Sequence, residues 1–435
     1  MPVIFFFGRK RRKDDDDDDD DFGDDEELVK FQGTLNGVQP DLIANEKLVE
    51  AGLDRAKEVL ANAIARRAGA LRFDPKADRF LTTLVIDGVP FASERLPKQE
   101  GLAVTQVLKL LGGMNVKDRR NQQTGGMKIE YRDRKMELRL SSVGVEGGER
   151  LLIRVSDPAN KLDTLTELGL DEDFRTKIRT TGSQKGLFFV VGPPGSGTST
   201  TFFAVLRGLD PYLHQIFTLG DTDDRHLDNI TAFSKNEGDD LDTNLQRVLR
   251  VDGDILQVDP PKDADALKTM MKYAEDASIL SEFPSRDVAS ALQVLNSWSG
   301  DPEQFSKVIN GVLSQKLLRV LCPKCKQAFK PNPQFLKRVG LPESTSLLYR
   351  APSADDDAAH CRKCGGTGYL GRKAIFEFIE MTDDMRALIA TSPDPAAIRA
   401  QMKKDEAITF QRDGLRLIAS GDTSLEELQR VFKAG

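Results

Sequence analysis

The stretch from Gly186 to Thr201 constrains the fold of this chain more than any other, because an apolar strand, a glycine-rich turn and a helix start follow one another. Leu187–Val191 is a continuous run of apolar residues rich in aromatic and β-branched side chains, which is typical of a strand buried on both faces. The next eight residues, 192–199, read GPPGSGTS. They have the spacing of a phosphate-binding loop, G-x-x-x-x-G-K-[ST], with Thr198 in place of the lysine. The alternative is a glycine-rich strand-to-helix turn without a ligand.

The loop supplies the candidate nucleotide-binding residues. Glycines let backbone N–H groups turn toward a phosphate, the following helix adds the positive end of its dipole, and the Ser199 hydroxyl would reach Mg²⁺. The missing lysine normally places a charge near the β- and γ-phosphates, a contact of about 4 kcal/mol at about 4 Å and an effective dielectric near 20, before desolvation. We therefore expect ATP and Mg²⁺ to bind weakly at most. The candidates are Gly192, Gly195, Ser196, Gly197, Thr198, Ser199 and Thr200.

The net charge of −7 comes from one end of the chain. Residues 9–13 carry five positive charges and residues 14–27 carry twelve negative charges, so the remainder is formally neutral and has no nucleic-acid footprint. Residues 1–28 are predicted to be a disordered basic and poly-aspartate tail, with the alternative that the tip at 3–7 touches an anionic membrane surface. No apolar run reaches the roughly 18 to 20 residues of a membrane span. We expect a cytoplasmic protein, with peripheral membrane contact through partners or this tip as the alternative.

The length of 435 residues allows two or three domains. Residues 29–157 are predicted to form a small α+β domain, followed by a linker at 158–185. Its helices are predicted at about 48–67 and 100–111, and its strands at 81–86, 127–131, 136–142 and 151–155.

Strands and helices alternate after the linker, which predicts an α/β domain at 186–321. Helical periodicity predicts that residues 373–435 are a C-terminal helical part that packs on this domain. Further strands of the α/β domain are predicted at 215–219, 254–258 and 278–280, and helices at 241–249, 263–273 and 286–298.

Four cysteines form two C-x-x-C pairs, Cys322/Cys325 and Cys361/Cys364. Two such knuckles have the spacing of a tetrahedral thiolate site, and four soft thiolates favour a structural zinc with no open position. Residues 322–372 are therefore predicted to be a zinc-binding insert, with four free thiols as the alternative. His360, next to the second pair, is predicted to be a bystander.

The order of motifs resembles the type II secretion and type IV pilus assembly ATPases. The phosphate loop is followed by Val248-Leu-Arg250, by residues 314–319 (SQKLLR) leading into the first cysteine pair, and by the Gly-Tyr-Leu-Gly-Arg372 ending after the second pair. The resemblance implies an α/β, RecA-like P-loop core, a PAS-like N-terminal domain, a tetracysteine zinc insert and C-terminal helices. It also implies a hexameric motor that binds ATP and works on inner-membrane platform proteins.

The chain departs from the family pattern at five points that the chemistry needs. Thr198 replaces the lysine, Gly220 replaces the glutamate of an acidic pair whose aspartate is Asp221, and Val258-Asp259-Pro260 has proline where the family has glutamate. The span 275–287 contains no histidine where the family has two, and Thr83 and Val85 stand where two arginines are expected. Loss of a base or water-positioning group costs a factor of about 10² to 10⁴.

Three functional hypotheses follow from these departures. The first is a pseudo-ATPase that acts as an assembly subunit or regulator, either in a homo-hexamer or in a hetero-hexamer with an active ATPase paralogue. The second is an active motor with displaced catalytic groups, for which Asp221 and Asp259 are the weak candidates. The third is a zinc-stapled cytosolic scaffold that binds no nucleotide.

Overall fold

The computed structural model describes residues 29–160, 162–222, 225–353, 356 and 360–433. The tail predicted at 1–28 lies outside these residues. The chain folds into two compact units. The first unit consists of the described residues up to Ala65 with Ala70–Leu84 and Ala92–Asp157, and the second of Arg66–Gly69, Val85–Phe91 and the chain from Pro158 onward.

A seven-stranded sheet in the order β1-β5-β6-β7-β2-β3-β4 is built from the N-terminal part of the chain. Helices α1 (Glu46–Ala65) and α2 (Lys98–Leu111) pack against each other. The neighbours β1–β5, β5–β6, β6–β7 and β2–β7 are antiparallel, so the predicted small α+β architecture is confirmed. The strands are β1 (Lys30–Thr34), β2 (Ala68–Pro75), β3 (Arg79–Ile86), β4 (Val89–Pro97), β5 (Gln123–Tyr131), β6 (Arg134–Val145) and β7 (Gly148–Ser156).

A second seven-stranded sheet forms the centre of the second unit, in the order β10-β9-β11-β12-β8-β13-β16. Its neighbours are parallel except for the antiparallel pair β13–β16 at one edge. The strands are β8 (Gly186–Gly192), β9 (Ile216–Thr218), β10 (Thr231–Ala232), β11 (Ile255–Val258), β12 (Ser278–Pro284), β13 (Ile309–Leu321) and β16 (Tyr369–Glu380). The prediction of an α/β domain is confirmed, and β16 runs across the boundary predicted at residue 372.

Helices lie on both faces of this sheet. After the 3₁₀ turn Pro158–Asn160, the helices are α3 (Glu172–Ser183), α4 (Thr198–Gly208), α5 (Leu241–Leu249), α6 (Ala264–Tyr273), α7 (Val288–Ser299) and α8 (Pro302–Val308). Most of them start where a short polar side chain accepts a hydrogen bond from a backbone N–H of the first turn, which satisfies a donor that the helix leaves unpaired. These caps are Asp171, Asp240, Asp263, Asp287 and Asp301.

The central strand β8 is buried on both faces, as its sequence predicts. Leu187, Phe189 and Val191 face a cluster built from α5, α6 and α7, whereas Phe188 and Val190 face α3 and α4. A strand with no exposed face needs apolar residues at every position, which explains the uninterrupted apolar run.

The cysteine region and the C-terminal part complete the second unit. A two-stranded sheet, β14 (Gln327–Phe329) with β15 (Leu348–Arg350), flanks α9 (Pro333–Val339). The predicted C-terminal helices are present, and none of the helices in the described part of the chain is both long and apolar enough to cross a membrane. These helices are α10 (Asp383–Ile389), α11 (Pro395–Lys404), α12 (Phe410–Ala419) and α13 (Leu425–Lys433).

Candidate functional site

The phosphate-loop residues predicted from the sequence lie where β8 ends and α4 begins. Gly195 and Gly197 have φ angles of +81° and +85°, a conformation that glycine adopts without steric cost. A Cβ atom on Gly192 would lie 2.4 Å from Thr198 Oγ1 and 2.5 Å from Ser196 Oγ, so a larger residue there would displace both hydroxyl groups. The chain therefore forms the predicted strand, tight turn and helix.

Two side-chain hydroxyl groups of the loop are hydrogen-bonded to each other. Ser196 Oγ and Thr198 Oγ1 are 2.9 Å apart and share a hydrogen bond. Thr198, which stands in the lysine's position, therefore has a short, neutral side chain that is hydrogen-bonded to another residue of the loop. A lysine in that position would carry a charge on a four-carbon stem.

Gln315 of β13 holds the loop from the side and was missed as a site residue in the sequence. Its Nε2 donates to the carbonyl oxygen of Ser196 at 2.7 Å, and its Oε1 accepts from Thr201 Oγ1 in α4. All three residues are buried. The signal was present, since Gln315 belongs to the SQKLLR motif that carries the family resemblance.

Glu282 of β12 is a second site residue that sequence reasoning missed. Ser199 Oγ donates to Glu282 Oε2 at 3.1 Å, and the glutamate is half-buried. The strand predicted at 278–280 continues to Pro284, so Glu282 lies inside it and not in a following loop. A carboxylate in an otherwise apolar strand was the signal that could have identified it.

The two weak catalytic candidates lie next to each other. The backbone N–H of Asp221 donates to Asp259 Oδ1 at 2.7 Å, and the neighbouring Gly220 N–H donates to Gln257 Oε1 at 2.9 Å. Both aspartates are exposed, at the carboxyl ends of the parallel strands β9 and β11. Asp259 thus helps to join two strand ends.

The four cysteines come together as predicted, with all four Sγ atoms within 4.8 Å of one another. The Cys322–Cys361 and Cys325–Cys364 sulfur atoms are 3.9 and 3.8 Å apart. A tetrahedron with zinc–sulfur bonds of about 2.3 Å has sulfur–sulfur separations of about 3.8 Å, so the cluster fits a structural zinc ion.

The protein environment acts on the thiols in opposite directions, since burial raises the pKa of the Cys325 thiol whereas backbone hydrogen bonds lower that of Cys361. The backbone N–H of Cys364, with that of Lys363, lowers the pKa of the Cys361 thiol to about 7. Cys322, Cys325 and Cys364 are buried and Cys361 is half-buried. A closed, four-sulfur site of this kind leaves no position for a substrate, which indicates a structural role.

Comparisons with known proteins agree with this architecture. The type IV pilus assembly ATPase PilB of Thermus thermophilus is 29% identical over 381 residues, which cover 86% of this chain and 42% of that protein. The type II secretion system protein E of Dickeya dadantii is 28% identical over 379 residues, which cover 86% of this chain and 74% of that protein. The chain thus spans less than half of the first relative and about three quarters of the second.

The fold is that of the RecA-like ATPases. The X-ray structure of the Legionella pneumophila ATPase DotB superimposes with a TM-score of 0.54 at 14% identity, covering 88% of this chain and 95% of that one. The type II/IV secretion system protein family matches residues 46–430. The chain therefore belongs to the family of type II/IV secretion system proteins.

Proposed function

We propose that this chain is a pseudo-ATPase of a secretion or pilus-assembly machine, an assembly subunit or regulator that binds nucleotide weakly at most. The observation that carries the proposal is the position of Thr198. Its hydroxyl is 2.9 Å from Ser196 Oγ, in the place where a phosphate loop has a lysine. The loop keeps its backbone shape but lacks the side-chain charge that stabilises the β- and γ-phosphates.

The catalytic groups support the same proposal. Pro260 follows Asp259 where the family has a glutamate, and residues 275–287 contain no histidine. Asp259 Oδ1 accepts a hydrogen bond from the Asp221 N–H, which occupies one oxygen of the carboxylate best placed to replace that glutamate. A transferred phosphoryl group needs charge stabilisation and an oriented water, and these departures remove groups that serve both.

The relatives suggest the setting in which such a subunit works. They include a pilus assembly ATPase and a type II secretion protein E. We propose a cytoplasmic protein, peripheral at the inner membrane, that forms a homo-hexamer or a hetero-hexamer with an active paralogue and contacts inner-membrane platform proteins. We propose no nucleic-acid partner. Zinc is proposed as a structural cofactor of Cys322, Cys325, Cys361 and Cys364.

Steady-state ATP hydrolysis by the purified full chain tests the central part of this proposal. The expected result is a turnover below about 0.1 s⁻¹, a tenth of the low end of ordinary enzyme rates. Faster turnover that is lost in Asp259→Asn would support the alternative of an active motor with displaced groups. Faster turnover that this variant retains would equally contradict the pseudo-ATPase.

Binding and size measurements separate the proposal from a scaffold without nucleotide. A monomer that does not bind a fluorescent ATP analogue would favour the scaffold. A ring seen by light scattering, alone or after mixing with an active paralogue, would favour the assembly subunit.

A further inference from the structure

The turn between α12 and α13 is held by the chain on both sides of the first cysteine pair. The N–H of Leu321, the last residue of β13, donates to the carbonyl oxygen of Asp422 at 2.7 Å. Lys326, the residue after the pair, donates from its Nζ to the carbonyl oxygen of Gly421 at 2.8 Å. The position of this turn, residues 420–424, therefore depends on the position of the first pair.

The segment that follows the second cysteine pair reaches the same turn. Tyr369 Oη and Ser424 Oγ are 2.9 Å apart and share a hydrogen bond, and Lys373 Nζ lies 3.0 Å from Asp422 Oδ2. Both contacts come from β16, whose first residue is Tyr369. A metal ion that joins the two cysteine pairs thus also joins the two chain segments that hold the turn.

The cysteine insert and the helices α12 and α13 also share one apolar cluster. Leu336, Leu341 and Leu348 are the buried residues that the insert contributes. The other buried members are Phe410, Leu417 and Ile418 of α12, Leu428 of α13, Leu318 of β13 and Ile375 of β16. A Cβ atom on Gly421 would lie 2.6 Å from the Tyr349 ring, so the turn and the insert approach closely. Because apolar burial drives packing, the insert is part of the core on which these helices dock.

A buried carboxylate fixes the position of α13. The Glu427 side chain is fully buried, and Arg319 donates to its Oε2 from Nε at 3.0 Å and from Nη2 at 2.7 Å. Arg430 donates to the same carboxylate. A buried charge is costly as soon as its partner moves away, so α13 has one favourable position. That position depends on Arg319, which lies three residues before Cys322 in β13.

The other two C-terminal helices pack elsewhere in the second unit. Met385 and Ile389 of α10, with Ile398 and Met402 of α11, belong to a different apolar cluster, which includes residues of α7. A change in the cysteine insert should therefore act on α12 and α13 and leave α10 and α11 in place.

We propose that the cysteine insert is a metal-dependent latch for α12 and α13. With the metal bound these helices stay docked on β13 and β16; without it they detach and uncover Leu318 and Ile375, which are buried in those strands. The inference rests on the proposed function, because zinc is the metal proposed there. It concerns the helices that the site holds and not whether zinc binds, so the zinc content of the same samples distinguishes the two failures.

Hydrogen exchange of the full chain, measured by mass spectrometry with zinc bound and after its removal by a chelator, tests the latch. Amides of α12 and α13 should exchange at least about tenfold faster without zinc, because undocked helices open more often. Amides of α10 and α11 are the internal control and should change by less than about threefold. Unchanged exchange in α12 and α13 would overturn the proposal. Equal acceleration in α10 and α11 would also overturn it, since the whole unit would then have opened.

Linkage requires the reverse effect as well, because a change that weakens docking must weaken zinc binding by the same factor. Glu427→Gln removes the charge that Arg319 and Arg430 surround. It should raise the zinc dissociation constant, measured by competition with a chelator, by about tenfold or more. Glu426→Gln is the matched control, because it removes the same charge from the neighbouring, exposed position and should leave the constant unchanged.

Equal zinc dissociation constants for the wild type and Glu427→Gln would contradict the latch, and so would an equal rise in Glu426→Gln. A wild type that holds no zinc would refute the proposed cofactor, and the latch with it.

Discussion

Gln315 Nε2 donates a hydrogen bond of 2.7 Å to the carbonyl oxygen of Ser196, which joins β13 to the phosphate loop. The same amide accepts from Thr201 Oγ1 in α4. The loop's shape is thus held by a buried side chain of the neighbouring strand. A chain that has lost its loop lysine can keep the loop conformation for this reason.

Gln315→Ala should destabilise the second unit by about 1 to 3 kcal/mol, because the variant leaves the Ser196 carbonyl and the Thr201 hydroxyl buried without this partner. Trp298, the single tryptophan, lies in this unit, with its ring centroid 5.5 Å from that of Phe283. Its fluorescence during urea denaturation therefore reports the free energy of unfolding. Gln304→Ala, at an exposed position of α8, is the control and should change the free energy of unfolding by less than about 0.5 kcal/mol. Equal effects of the two variants would contradict the proposed role of Gln315.

Restoring the loop lysine should restore binding but not catalysis. Thr198→Lys adds a positive charge near the β- and γ-phosphates, so the dissociation constant of an ATP analogue should fall by about tenfold or more. Turnover should stay below about 0.1 s⁻¹, since the glutamate and histidines of the family are still missing. Gln304→Lys, at an exposed position of α8, is a control for added charge and should leave the dissociation constant unchanged. Rapid hydrolysis by Thr198→Lys would show that the lysine was the only essential loss.

Glu377 gives the second unit a pH-dependent stability. Burial raises the pKa of its carboxyl from 4.5 to about 7, and the charge of Asp287 adds to this. The backbone N–H of Val288 at 2.9 Å, Arg399 and Lys316 act in the opposite direction. Because the folded-state pKa is the higher one, the stabilisation is complete below about pH 4.5 and is lost as the pH rises through about 7.

The unfolding free energy of Glu377→Gln should therefore increase relative to that of the wild type by about 3 kcal/mol over this pH range. Glutamine still offers an oxygen to the Val288 N–H and carries no charge that burial penalises. Urea denaturation at acidic and at slightly alkaline pH, followed by Trp298 fluorescence, measures the difference. Glu426→Gln is the control, because Glu426 is exposed. A pH-independent difference for Glu377→Gln would refute the explanation.

Metal analysis of the purified protein should find about one equivalent of zinc. Cys364→Ser removes a buried ligand and should reduce the zinc content and lower the thermal midpoint, because the metal stabilises only the folded site. His360→Ala is the control next to Cys361 and should retain the metal. Less than about half an equivalent in the wild type, or loss of zinc from His360→Ala as well, would show that the four-thiolate assignment is wrong.

Local patterns predicted the parts of the site that lie close together in sequence. The strand, turn and helix at 186–201 follow from an apolar run, from glycines and from the loop spacing, all within sixteen residues. The cysteine pairs were equally readable, because a C-x-x-C knuckle is formed by its own backbone. The structure confirmed both arrangements.

Contacts across the sheet could not be predicted in the same way. The long antiparallel pair β13–β16 brings together segments separated by the whole cysteine region, and its strands contain Gln315, Lys316 and Glu377, which are polar but buried. Glu282 was missed because a carboxylate followed by Pro284 is typical of a loop. Only the register with β8 shows that this side chain reaches Ser199.

Single-turnover hydrolysis, with the protein in excess over radiolabelled ATP and Mg²⁺, tests the central claim most directly, since product release cannot mask the chemical step. Every bound nucleotide should be recovered as ATP after a time in which an ordinary enzyme, at about 1 s⁻¹ or faster, would have converted all of it. Recovery of ADP and free phosphate at such a rate would contradict the account, because the fold would then have kept its chemistry without the lysine, glutamate and histidines.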